Sequence, residues 1–71
     1  MQVKTASEFG ALIKEARLTA NLTQAELAIA SGTGLRFIVE LEQGKSTCQL
    51  DKALRVARRA GLRFEGQFSK Q

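Results

Sequence analysis

Apolar residues recur at helical spacing through most of the chain. Phe9, Leu12, Ile13, Ala16 and Ala20 form one stripe of an amphipathic helix, with Lys14, Glu15 and Arg17 on its polar face. Ser7 offers an N-cap with Glu8 in the first turn, and Asn21-Leu22 closes the helix near residue 20. In Thr23-Gln24-Ala25-Glu26 a hydroxyl is followed three residues later by a carboxylate, the spacing of a capping box, so a second helix rich in Ala, Leu and Ile runs to about Ser31. Gly32-Thr33-Gly34 forces a tight turn. A third helix runs from Leu35 to about Gln43, with Ile38 and Leu41 facing inward and Gly44 stopping it. Thr47 is the expected cap of a fourth helix, in which Leu50, Leu54 and Ala57 share a face and Gly61 ends the run.

The period then changes from helix to strand. Leu62, Phe64 and Phe68 alternate with Arg63, Glu65 and Gln67, the two-residue repeat of a half-buried strand, with Gly66 as a bulge. A lone strand has no partner inside a helical domain, so its edge and its two phenylalanines must be covered by something else. Gln2–Thr5 is the only other segment with strand character. The chain thus divides into a helical domain over residues 1–61 and a tail over residues 62–71.

Composition narrows the chemistry. Seventy-one residues make one small domain, and 44% hydrophobic content is enough to fold it. There is no His, which removes the commonest general base and metal ligand. The one cysteine, Cys48, can close no internal disulfide and build no zinc site alone, and it reads as a small packing residue. No catalytic residue, metal site or cofactor is expected, and the chain does not read as an enzyme. Apolar runs are too short for a membrane span, and the first residues lack the core of a signal peptide, so a reducing cytoplasmic setting is expected.

Charge alone is ambiguous. The chain carries a formal +4 at neutral pH, which calls for an anionic partner. Yet residues 1–44 sum to −1 and residues 45–71 to +5, with Lys52, Arg55, Arg58 and Arg59 on the fourth helix. The third helix is not basic: Arg36 stands against Glu40 and Glu42. Glu42 reads as a structural acid, paired to a helix terminus or to Arg17.

The stretch from Leu22 to Gly44 holds two short helices joined by a glycine-containing turn, the sequence form of a helix-turn-helix over residues 23–43. In Leu22-Thr23-Gln24, Glu26-Leu27-Ala28, Gly32, Ile38, Leu41-Glu42 and Gly44 it resembles the Xre/Cro-repressor helix-turn-helix family, and the likeness extends over about residues 7–62. The resemblance implies an all-α fold, a four- to five-helix repressor-like domain; the short C-terminal β-strand, left without a partner inside it, is expected to pair across a dimer through Leu62, Phe64 and Phe68. Ala28 and Gly32 would be small where two helices approach closely.

By similarity, Thr23 and Gln24 open the second helix, where the Gln24 amide and exposed N–H groups can hold a phosphate. Thr33, Gly34 and Arg36 begin the recognition helix, Arg36 being the candidate for a bidentate contact to guanine, and Lys45 looks like a phosphate contact. The chain departs from the family at Gly34, where a Ser-like cap is usual. It departs again at Leu35, Phe37 and Val39, which make the outer face apolar, and at Glu40, where a basic or small polar residue is usual. The implied function is a sequence-specific repressor, cytoplasmic and nucleoid-associated, binding a palindromic operator as a homodimer. The short tail also resembles HipB-type antitoxins, which implies an autorepressed operon and a HipA-like kinase toxin as partner. The alternative is a protein-interaction adaptor whose binding face is Leu35, Phe37, Val39 and Glu40.

Overall fold

The computed structural model describes residues 5–45 and 49–62, and among them the chain forms four helices: α1 (Ala6–Thr19), α2 (Gln24–Ser31), α3 (Leu35–Glu42) and α4 (Leu50–Arg59). The expected strand lies outside the described residues except for Leu62, as do Cys48 and the predicted cap Thr47.

One device ends all four helices. A residue in the left-handed region follows each last turn, and the next N–H reaches back five residues: Leu22 to the Arg17 carbonyl (3.0 Å), Thr33 to Ala28 (2.9 Å), Lys45 to Glu40 (3.0 Å) and Leu62 to Ala57 (3.0 Å). The left-handed residue is Asn21, Gly32, Gly44 or Gly61 in turn. Gly32 therefore serves its positive φ of 69°, not the close helix approach expected for it, since a Cβ there would meet nothing within 4 Å.

The starts differ from expectation at two helices. α1 is capped by Thr5, whose Oγ1 accepts the Glu8 N–H at 3.0 Å, while Ser7 sits inside the helix. Thr5 is the hydroxyl placed three residues before Glu8, so the capping geometry selects it over Ser7. α2 begins as predicted: Thr23 Oγ1 accepts the Glu26 N–H (3.0 Å) and Glu26 Oε1 accepts the Thr23 N–H (2.8 Å). α3 and α4 start at Gly34 and Gln49, neither giving a side-chain cap.

The core is Ile13, Leu27, Ala28, Ile38, Leu41, Ala53, Val56, Ala57 and Ala60, with Phe9, Ala16, Leu22, Phe37 and Leu62 packed around it. α2 lies against α3 and α4, and α1 against α3. α4 is turned from the predicted orientation: it buries Ala53, Val56, Ala57 and Ala60 and leaves Leu50 70% exposed. The buried face is thus made of three alanines and a valine, small side chains packed against the core. Ala20, predicted on the α1 stripe, is exposed at the helix C-cap. Leu62, expected at a subunit interface, is half-buried against its own core, drawn there by the turn that ends α4.

Gly10 sets the contact of α1 with α3. A Cβ at this position would fall on the Leu41 carbonyl oxygen and within 2.9 Å of that of Glu42. Only a residue without one admits the C-terminal carbonyls of α3 so near the α1 backbone.

Candidate nucleic-acid interface

α2, the turn Gly32–Gly34 and α3 build the candidate site, and one buried ion pair fixes them to α1. Arg17, predicted on the polar face, is folded inward, and Glu42 meets it at the end of α3. The Arg17 Nε donates to Glu42 Oε2 at 2.6 Å and its Nη2 donates to Oε1 at 3.0 Å, a bidentate fork. The side chains are only 8% and 4% exposed. The hydrogen bond from Glu42 holds the Arg17 guanidinium above its ordinary pKa, outweighing the opposing effect of burial. Arg17 Nη1 also donates to the Leu22 carbonyl at 2.9 Å, tying the α1–α2 connection to the same group.

Gln24 joins this network, donating from Nε2 to Glu42 Oε1 at 3.1 Å. The first residue of α2 and the last residue of α3 are thereby held together. No local pattern announces the contact, because Gln24 and Glu42 are far apart in sequence. Thr33 is anchored too: its Oγ1 lies 3.0 Å from Ser31 Oγ, and Ser31, buried in the core, donates to the Leu27 carbonyl at 2.7 Å. Among the described residues no buried side-chain polar atom lacks a partner.

At 100° per residue, burying Ile38 and Leu41 leaves α3 with an outer face of Leu35, Arg36, Val39 and Glu40. Phe37 is not on that face. It stands one turn before Leu41, half-buried against the core, with the Lys52 ammonium 5.7 Å from its ring centroid. The expected apolar face of Leu35, Phe37 and Val39 is thus reduced to Leu35, 51% exposed, and the half-buried Val39.

Three charges share the outer surface. The Arg36 side chain is 90% exposed, and its Nε lies 3.3 Å from Glu40 Oε2 one turn on. Lys45, placed by the turn at Gly44, brings its Nζ to 3.3 Å from the same oxygen. The hydrogen bond from Lys45 is the main cause that lowers the Glu40 carboxyl below its ordinary range; Arg36 adds to it, and partial desolvation opposes both. Thr23 and Gly34 are exposed, the first with its hydroxyl spent as a cap and the second with open space around its α-carbon. The structure therefore brings Arg36, Glu40 and Lys45 together on the outer side of α3 with Leu35 and Val39, ties Gln24 to Glu42 on its inner side, leaves Thr23 as the α2 cap, and turns Phe37 toward the core.

No group of three acidic, cysteine or histidine side chains able to hold a metal occurs among the described residues, and no helix there is long and apolar enough to cross a membrane. Residues 13–66 match the model of the family described as helix-turn-helix. The chain is also 48% identical over 64 residues to an uncharacterized HTH-type transcriptional regulator, y4mF, of Sinorhizobium fredii (strain NBRC 101917 / NGR234), covering 90% of this chain and 84% of that protein. Two helices held at the Gly32–Gly34 turn by their own core, with that family's sequence running through them, make this chain a member of the Xre/Cro-like helix-turn-helix family.

Proposed function

We propose that the protein is a sequence-specific DNA-binding regulator of transcription, reading the major groove with α3. The observation that carries this is the outer face of α3, where Arg36 projects 90% exposed, opposite Ile38 and Leu41. Eight helical residues span about 12 Å, close to the width of the major groove. The α2 N-terminus lies beside it, where its N–H groups can take a phosphate. Arg36 is the guanine reader and Lys45 a phosphate contact; Leu35 and Val39 can meet a thymine methyl.

Fluorescence anisotropy against the DNA upstream of its own gene, compared with random duplex, tests the reading. Arg36→Ala is expected to lose about 1–3 kcal/mol on the specific site. Equal affinity for both DNAs, or no loss on Arg36→Ala, refutes it. A protein-binding face at Leu35 would instead give affinity that hardly responds to salt, whereas phosphate binding weakens steeply.

The finer reading is a repressor that binds a palindromic operator as a homodimer, its recognition helices about 34 Å apart, in the cytoplasm at the nucleoid. Within it, the protein is the HipB-type antitoxin of a HipA-like kinase toxin. Its support is the resemblance of the sequence and the alternation in residues 62–68. Sedimentation at micromolar concentration tests the dimer, and co-purification with the product of a neighbouring kinase-like gene tests the toxin.

A further inference from the structure

α3 carries two carboxylates, and only one is accounted for by the fold. Glu42 is enclosed by Arg17 and Gln24. Glu40 lies on the outer face, its side chain 30% exposed, with one oxygen 3.3 Å from both Arg36 Nε and Lys45 Nζ. Those two cations are the ones that the DNA-binding reading assigns to base and phosphate contacts. An ionised acid placed between them is unfavourable for binding a polyanion, unless its function is to oppose the wrong contacts.

We propose that Glu40 is a specificity-determining residue: it holds Arg36 and Lys45 back from arbitrary phosphates and releases them where a base amino group faces its own carboxylate. The inference rests on the DNA-binding reading. Three facts of geometry support it. The pairs are exposed and long enough to be weak, so they can exchange for DNA contacts without a large barrier. Arg36, almost wholly in solvent, is free to swing toward a guanine once released. Glu40, one turn further along the same face, is spaced to reach a neighbouring base, where the cytosine or adenine amino group is the donor that a carboxylate accepts. A phosphate offers no such donor. On random DNA the acid therefore repels the backbone and keeps its cations, while on a matching site it gains a partner. A glutamate is ionised at neutral pH in any case, and Lys45 and Arg36 lower its carboxyl further, so the countercharge is present under physiological conditions.

The test compares wild type, Glu40→Gln and the charge control Glu15→Gln, an exposed residue of α1 away from the outer face of α3. The probe is a fluorescein-labelled random-sequence duplex of roughly two helical turns, titrated across a salt series. Release of one additional phosphate contact steepens the slope of log K against log salt by about 0.9, which amounts to about 15-fold tighter binding at about 0.05 M salt and fades toward 1 M. Glu40→Gln should show this gain and Glu15→Gln much less. In selection from a random duplex pool, Glu40→Gln should enrich sequences less than wild type does. Equal behaviour of the two variants, or undiminished enrichment by Glu40→Gln, overturns the inference while leaving DNA binding intact. If neither wild type nor Glu40→Gln binds any duplex even at about 0.05 M salt, the DNA-binding reading itself falls and this inference with it.

Discussion

Removing the carboxylate of Glu42 should cost the domain a large share of its stability. Glu42→Ala deletes three hydrogen bonds at once, the two from Arg17 at 2.6 and 3.0 Å and the one from Gln24 at 3.1 Å. It leaves a guanidinium that is 8% exposed with one remaining acceptor, the Leu22 carbonyl. Breaking a buried pair by deleting one partner typically costs 3–5 kcal/mol, and the surviving carbonyl places this case near the lower end, about 3 kcal/mol. A chain of this length has roughly 4–10 kcal/mol in all, so the variant should melt roughly 12–24 °C lower. Thermal and urea unfolding followed by far-UV circular dichroism measures this. A double-mutant cycle with Arg17→Met and Glu42→Met separates the pair from its surroundings, and the double variant should regain much of what either single one loses. High salt should leave the coupling nearly unchanged, because so little of the pair faces solvent. A loss below about 1 kcal/mol on Glu42→Ala would show that the pair behaves like an exposed one, and the reasoning would fail.

The other expectations concern single positions. Gly10→Ala, which on helix propensity alone should stabilise, is expected to lose about 1–3 kcal/mol, because the new methyl meets the Leu41 and Glu42 carbonyls; a gain in melting temperature would contradict the packing of α1 on α3. Gly34→Ser should gain a few tenths of a kcal/mol in urea unfolding, since φ of −88° suits any residue, the space is open and the hydroxyl can cap α3; a loss would show that the site is not an ordinary N-cap. In a side-chain NMR titration Glu40 should protonate below the ordinary glutamate range. The folded-state pKa is depressed, so its contribution is present above the unfolded value and is lost as pH falls through the folded one; a midpoint at or above the ordinary value would mean that the Lys45 and Arg36 contacts do not persist in solution.

The sequence made the helices legible wherever the signal was local. Thr23 and Glu26 mark the start of α2, Gly44 and Gly61 mark the ends of α3 and α4, and the structure uses each as read. The sequence pattern puts the cap of α1 at Ser7, two residues beyond the true cap Thr5, because both are hydroxyl caps and only the spacing to Glu8 separates them. Which face of α4 goes inward was not legible. Hydrophobicity favours Leu50 and Leu54, but the buried residues are three alanines and a valine, a choice made by packing against the rest of the fold and not by the local pattern. Gly10 was invisible for the same reason: its constraint comes from carbonyls some thirty residues away. At the candidate site, the motif singles out Arg36 and Lys45, and both lie exposed on the outer side of α3. The position of Glu40 between them is not local in the sequence: it depends on the turn at Gly44, which brings Lys45 back over the last turn of α3.

The two acids of α3 divide the work of the site by their surroundings. Glu42, two residues after Glu40, is rotated by 200° to the other side of the helix, where it meets Arg17 and Gln24 in near-complete burial. There it joins α1, the first residue of α2 and the end of α3 through one carboxylate, so the α2 N-terminus cannot shift relative to α3 without breaking a bond to Glu42. A protein that grips phosphates with one element and reads bases with another depends on that fixed offset, because an error of an ångström at either element is an error in register. Glu40 lies on the outer side, its side chain 30% exposed, and its contacts to Arg36 and Lys45 are longer, at 3.3 Å each. The same kind of side chain thus gives a rigid joint on the inner side of the helix and a more exposed ion pair on the outer side. The buried acid sets where α3 is held, and under the proposal above the outer one would bear on which DNA it accepts.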